Sequence, residues 1–131
     1  MFGKNKEQGG VARIDSLIGV GTSVEGVIRF SGGLRIDGEV RGTVEAIGNS
    51  ASTTLVISDQ AKVEGAVTVG HLVLNGTVVG PVHVSNSIEM QPKARIIGDV
   101  SYAVIEMHQG AVIEGRLVHH PKEEPIEGDG A

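Results

Sequence analysis

One short pattern recurs six times along the chain and constrains its fold more than any other feature. Each copy has an apolar residue, any residue, Gly, any residue and a second apolar residue. The copies are Val24–Ile28, Val40–Val44, Val63–Val67, Val78–Val82, Ile96–Val100 and Ile113–Leu117. Their glycines are 15 to 23 residues apart. A repeat of this length, without helical periodicity, predicts a solenoid whose coils stack on one another.

Alternation within each copy indicates β-strands with one buried face. In the fourth copy Leu72, Leu74, Val78, Val82 and Val84 all have even numbers, and a period of two is the spacing of side chains on one face of a strand. An apolar pair precedes every copy; the pairs are Ile18/Val20, Leu34/Ile36, Leu55/Ile57, Leu72/Leu74, Ile88/Met90 and Ile105/Met107. We therefore expect residues 17–118 to form an all-β helix of about six rungs, without α-helices.

The motif glycines are expected at corners, where a side chain has no room or where φ must be positive. Composition agrees with a coil of short strands, because hydrophobic residues make up 40% of the chain and aromatic residues only 2%. Val, Ile and Leu must therefore fill the core. Residues 48–52 follow the second copy as a polar insertion and are predicted to form a corner loop.

Several functional classes are disfavoured by composition. A net charge of −5 argues against a surface that coats nucleic acid, and the absence of cysteine excludes disulfides and thiolate metal sites. No apolar run reaches the roughly 20 residues that span a bilayer, and the first residues do not have the form of a secretory signal.

The two ends of the predicted solenoid are the parts most prone to pair with other chains. A terminal coil exposes unpaired backbone groups and the apolar side chains of its inner face, and solenoids that stay monomeric usually carry caps. We expect residues 1–16 to be a flexible segment and residues 119–131 to be a disordered tail, so neither caps the rod. The predicted polymerisation residues are Ile18, Val20, Val24 and Ile28 at one end, and Ile105, Met107, Ile113 and Leu117 at the other.

Two outward apolar pairs are expected on the flanks of the rod. Val56 and Val73 are predicted to be neighbours in one outward column, and Val79 and Ile97 in another. Such patches fit a lateral contact between filaments or a partner site. The alternative is that they are scattered surface residues without a role.

No catalytic, cofactor or metal site is predicted. The chain lacks the phosphate-binding G-x-x-x-x-G-K pattern and a nucleophile–base–orienter set. The histidines are assigned surface or structural roles; they are His71, His83, His108, His119 and His120. A hexapeptide-repeat acyltransferase remains the alternative, although its strict six-residue period is absent. An ice-binding or adhesive solenoid would show aligned outward threonines, which Thr43, Thr68 and Thr77 do not form.

The chain resembles the bactofilins, a family of bacterial cytoskeletal proteins. The six repeats over residues 17–118 and the start Met1-Phe2-Gly3-Lys4 carry the resemblance. It implies a right-handed, three-sided β-helix that polymerises through its terminal rungs without nucleotide. It also implies a cytoplasmic scaffold for cell-shape or cell-wall proteins at the inner face of the membrane.

Membrane contact is expected through the first residues, mainly because of this resemblance. Phe2, beside Met1, would enter the bilayer interface, while Lys4 and Lys6 would meet anionic head groups at about 1 kcal/mol each. A filament would repeat this weak contact many times. The partners expected are thus further copies of the chain, an anionic membrane surface and proteins of cell shape or wall, but no nucleic acid.

Overall fold

The computed structural model describes residues 14–48 and 52–121, and within these ranges every regular element of more than one residue is a β-strand. The strands are β1 (Ser16–Ile18), β2 (Ser23–Glu25), β3 (Ile28–Phe30), β4 (Gly33–Ile36), β5 (Glu39–Arg41), β6 (Val44–Ala46), β7 (Thr54–Ile57), β8 (Lys62–Glu64), β9 (Val67–Leu74), β10 (Thr77–Val79), β11 (Val82–Met90), β12 (Arg95–Ile97), β13 (Val100–Tyr102), β14 (Val104–Met107), β15 (Val112–Glu114) and β16 (Leu117–His119). The predicted all-β solenoid is confirmed.

Three ladders of parallel strands form the three sides of the rod. The first face runs β1, β4, β7, the second half of β9, the second half of β11, and β14. The second face runs β2, β5, β8, β10, β12 and β15. The third face runs β3, β6, the first halves of β9 and β11, β13 and β16. The chain thus makes six rungs on three sides, while right-handed winding stays a prediction.

The core consists of columns of like residues stacked along the rod. The inner column of the second face is Val24, Val40, Val63, Val78, Ile96 and Ile113, in register from rung to rung. Its four middle members are fully buried. Each such aliphatic side chain contributes about 1.5–3 kcal/mol of burial free energy, which lets the rod fold with few aromatic residues.

The motif glycines are required both by their positive φ angles and by the lack of room for a side chain. Their φ angles lie between +127° and +156° in all six copies. From the second copy onward, an added Cβ would also collide with the carbonyl oxygen of the motif glycine one rung earlier. The corner between the second and third faces therefore excludes side chains for conformational and for steric reasons.

The position predicted for Val20 is wrong. In β1 it is Ser16 and Ile18 that pair with Leu34 and Ile36, so Val20 lies beyond the inner column. It belongs to a turn, closed by a Thr22 N–H that donates to the Gly19 carbonyl at 3.1 Å, and it is 70% exposed. The predicted pair was two residues out of register because this corner is longer than the one that follows Ile36.

The strands extend slightly beyond the predicted boundaries at residues 17 and 118. Strand β1 begins at Ser16, and β16 ends at His119, which pairs with Tyr102. His120 also contacts the rod. Its Nε2 lies 3.0 Å from the Val84 carbonyl oxygen, and its ring stacks on the ring of His83. His119 and His120 are thus attached to the rod rather than part of a loose tail.

Candidate functional site

The N-terminal tip of the rod has an open edge. Its three strands, β1, β2 and β3, each pair with one other strand in the described part of the chain. The inner residues Ile18, Val24 and Ile28 pack on the core but stay half-buried, whereas the residues stacked on them in the second rung are fully buried. Described residues therefore leave this apolar surface uncovered.

The C-terminal tip repeats this arrangement. Within the described ranges β14, β15 and β16 pair only with β11, β12 and β13. Leu117 is 49% exposed, whereas Val100, directly beneath it, is 0% exposed. Ile105 and Ile113 are half-buried and Met107 is exposed. The inner columns thus end in apolar side chains at both tips.

Each tip also presents three strand edges whose outer backbone groups have no strand opposite them among the placed residues. Such edges pair readily with strands of another chain, at about 4.8 Å spacing. The three edges surround the apolar residues. A second chain that extended the ladders would therefore also bury the end of the core.

The flanks are chemically different from the tips because charges line them. The Arg41 guanidinium lies 3.9 Å from both Glu25 and Glu64, its neighbours in the outward column of the second face. Glu64 also accepts a hydrogen bond from Lys62, which holds the pKa of Glu64 below its usual value. Solvent screens such exposed pairs, so these charges keep the flanks hydrated more than they stabilise the rod.

The predicted lateral pairs are neighbours in the structure. Val73 pairs with Val56 on the first face, and Ile97 pairs with Val79 on the second. Their role as a lateral patch stays a prediction. The proposed membrane residues Met1, Phe2, Lys4 and Lys6 lie outside the described residues.

A surface cluster on the last two rungs was missed by the sequence analysis. The His108 Nε2 lies 3.2 Å from a Glu89 oxygen and 3.3 Å from a Glu106 oxygen. These ligand atoms lie within 4.8 Å of one another and could hold a divalent cation. Stacking Glu89 on Glu106 from the repeat alignment would have revealed the two carboxylates. The turn that brings His108 back to them has no sequence signal.

Comparison with known proteins identifies the family. A family model described as "Bactofilin: Polymer-forming cytoskeletal" matches residues 16–118. The chain belongs to the bactofilin family. The resemblance seen in the sequence is thus confirmed, and the family is one of structural, polymer-forming proteins.

One curated relative supports the assignment. The chain is 25% identical over 113 residues to Bactofilin BacP of Myxococcus xanthus (strain DK1622), an alignment that covers 86% of the chain and 45% of the relative. The chain thus spans less than half the length of that bactofilin. No solved structure matches the chain. Among the described residues, no helix has the length and apolarity needed to cross a membrane.

Proposed function

We propose that this bactofilin polymerises end to end, without nucleotide, through its two terminal rungs. The observation that supports this most directly is the contrast within single columns. Val100 is fully buried and Leu117, the next residue of its column, is half exposed. Stacking another chain on each tip would continue the columns and the three ladders.

The free energy available at a joint fits reversible assembly. Covering three or four half-exposed aliphatic side chains on each tip contributes on the order of 5 kcal/mol. Backbone hydrogen bonds along three strand edges add about 0.5–1.5 kcal/mol each. These gains are of the same order as the 4–15 kcal/mol cost of association. Burial and backbone hydrogen bonds together therefore offset this cost, which supports the proposal that assembly needs no nucleotide hydrolysis.

We further propose that the filament lies in the cytoplasm, at the inner face of the membrane, as a scaffold for cell-shape or cell-wall proteins. Support comes from the family resemblance and from the aromatic and basic residues at the start of the chain. A filament repeats that short segment along its length, which turns a weak contact into a strong one.

A matched pair of variants tests the joint. Leu117 and Val118 are neighbours in β16 with exposures of 49% and 48%, but Leu117 ends an inner column and Val118 points outward. We expect Leu117→Glu to abolish filaments, because stacking would bury an unpaired carboxylate. Val118→Glu should assemble like the unmodified chain.

Negative-stain microscopy and high-speed sedimentation, both without nucleotide, give the result. Circular dichroism checks that both variants keep the strand signal of the rod. Long filaments of Leu117→Glu, or loss of filaments in both variants alike, would contradict the proposed joint.

A further inference from the structure

The first face carries an outward column whose chemistry changes from one end of the rod to the other. We name it the first-face stripe; from the N-terminal tip it is Leu17, Arg35, Val56, Val73, Glu89 and Glu106. Its centre is apolar. The half toward the N-terminal tip contains its positive charge, and the half toward the C-terminal tip its two negative charges.

We propose that the first-face stripe pairs with the same stripe of a second copy, with the two rods antiparallel. The two-fold axis would run along the strand direction, between the third and fourth rungs. Val56 would then face Val73 of the second copy, and Arg35 would face Glu89 of the second copy. Symmetry repeats each contact, so the interface has an apolar centre flanked by two opposite-charge pairs, and at each end Leu17 faces Glu106 of the other copy.

Two other ways of pairing the rods bring like charges together or leave charges without an opposite partner. A parallel pair about an axis along the rod would bring like charges to the same height, with Arg35 beside its copy and Glu89 beside its copy. On the second face the corresponding stripe is Glu25, Arg41, Glu64, Val79, Ile97 and Glu114. Its reversal would set Arg41 against Ile97 and Glu25 against Glu114. Of these two faces, charge complementarity therefore selects the first, and it selects the antiparallel orientation.

The charged side chains of the first-face stripe are exposed enough to form an ion pair with a second rod. Arg35 contacts Asp37 at 2.9 Å through its Nε, and its side chain is 47% exposed. Glu89 and Glu106 contact His108, and the described part of the chain brings no Arg or Lys to either of them. These two stacked carboxylates are thus the natural target for a guanidinium from another rod.

This contact is weak between single subunits. Six rungs spaced about 4.8 Å apart, with strands of about four residues, give a face of roughly 400 Å² per copy. The total of roughly 800 Å² falls below the 1,200 Å² or so of stable interfaces. Two filaments would repeat the contact along their length, and avidity would hold them together. The inference thus rests on the proposed end-to-end filament, which it extends to lateral bundling.

Charge reversal tests the pairing. We expect filaments of the full chain to bundle, and Arg35→Glu or Glu89→Arg each to lower the low-speed pellet by about fivefold or more while single filaments persist. The double variant should bundle again. So should a mixture of separately assembled Arg35→Glu and Glu89→Arg filaments, because each supplies the charges that the other needs.

Arg95→Glu, on the second face, makes the same charge change as Arg35→Glu and should bundle like the unmodified chain. Unchanged bundling of Arg35→Glu, or single variants that neither the mixture nor the double variant restores, would overturn the pairing. Filaments that form but never bundle would overturn the pairing and leave the proposed function intact. A chain that forms no filaments would overturn both.

Discussion

Backbone conformation and lack of space both shape the corners of the rod, and three glycines allow the two effects to be tested separately. Gly26 has a φ of +127°, but an added Cβ would meet no atom within 4 Å. Gly76 lacks a positive φ, yet its Cβ would lie 2.6 Å from the Ala61 carbonyl oxygen. Gly65 combines a φ of +149° with a collision against the carbonyl oxygen of Gly42. Substituting each by alanine therefore tests conformation, space, or both.

We expect Gly26→Ala to cost about 1–2 kcal/mol of unfolding free energy through φ alone. Gly76→Ala should cost about 1–3 kcal/mol through overpacking. Gly65→Ala should exceed either, at about 3 kcal/mol or more. Denaturation followed by circular dichroism, at concentrations too low for filaments, measures the order. Equal penalties for all three would contradict the steric part of the explanation.

At the residue scale, alternation in the sequence was enough to assign the inner and outward residues of the second to sixth rungs. The same alternation places Arg41 between Glu25 and Glu64 in an outward column, as the structure does. The contact of His108 with Glu89 and Glu106 could not be predicted in this way. The position of the His108 ring depends on the turn after β14, where the His108 N–H donates to the Met90 carbonyl at 2.8 Å. Apolar patterning contains no information about such a turn.

At the element scale, the corners between the first and second faces differ in length. In the second rung only Asp37 separates Ile36 from the buried Gly38, and in the fourth rung only Asn75 separates Leu74 from Gly76. The other four rungs have three residues there, closed by a backbone hydrogen bond such as that from Ala61 N–H to the Ser58 carbonyl, at 3.0 Å. The strands were predictable because the core fixes their periodicity. The corner lengths depend on local backbone bonding, so Val20 was misplaced.

A hydrogen bond between adjacent corners predicts a pH-dependent stability. The Asp37 carboxylate accepts a hydrogen bond from Ser58, in the next rung, and this bond is the main reason that its pKa lies below the usual 3.8; Arg35 adds to the effect and partial burial opposes it. A lowered pKa stabilises the fold above pH 3.8, and this contribution disappears as the pH falls through the folded-state pKa.

We expect Asp37→Asn to lower the free energy of unfolding by about 0.5–1 kcal/mol at pH 7 and by less at pH 3. Ser58→Ala should share this penalty, and the double variant should be little worse than Asp37→Asn. Chemical denaturation at the two pH values provides the measurement. A penalty as large at pH 3 as at pH 7 would exclude the charged hydrogen bond as its cause.

At the scale of the whole molecule, the rod has charged flanks and apolar tips. Stacking in register explains both, because outward columns collect the charged residues and inner columns end without a cover among the described residues. The sequence predicted this distribution correctly, since repeats of one pattern must stack. The membrane contact proposed for the first residues involves a second component, the bilayer, and so cannot follow from repeat geometry.

Deleting residues 1–7 should release the protein from anionic liposomes without preventing filament formation. The deletion removes Phe2, Lys4 and Lys6, which would contact the bilayer interface and its head groups. Co-sedimentation with anionic and with neutral liposomes measures the effect, and the Lys4→Gln/Lys6→Gln variant isolates the electrostatic part. Unchanged pelleting of the deletion variant would refute membrane contact by this segment.

Electron cryomicroscopy of filaments assembled from the full chain without nucleotide is the most direct measurement of tip-to-tip stacking. The joint proposed here predicts strand spacing of about 4.8 Å that continues across every joint, with six rungs, or about 29 Å, for each subunit. Filaments in which the rods touch through their flanks, leaving the ladders interrupted and the tips exposed to solvent, would contradict it.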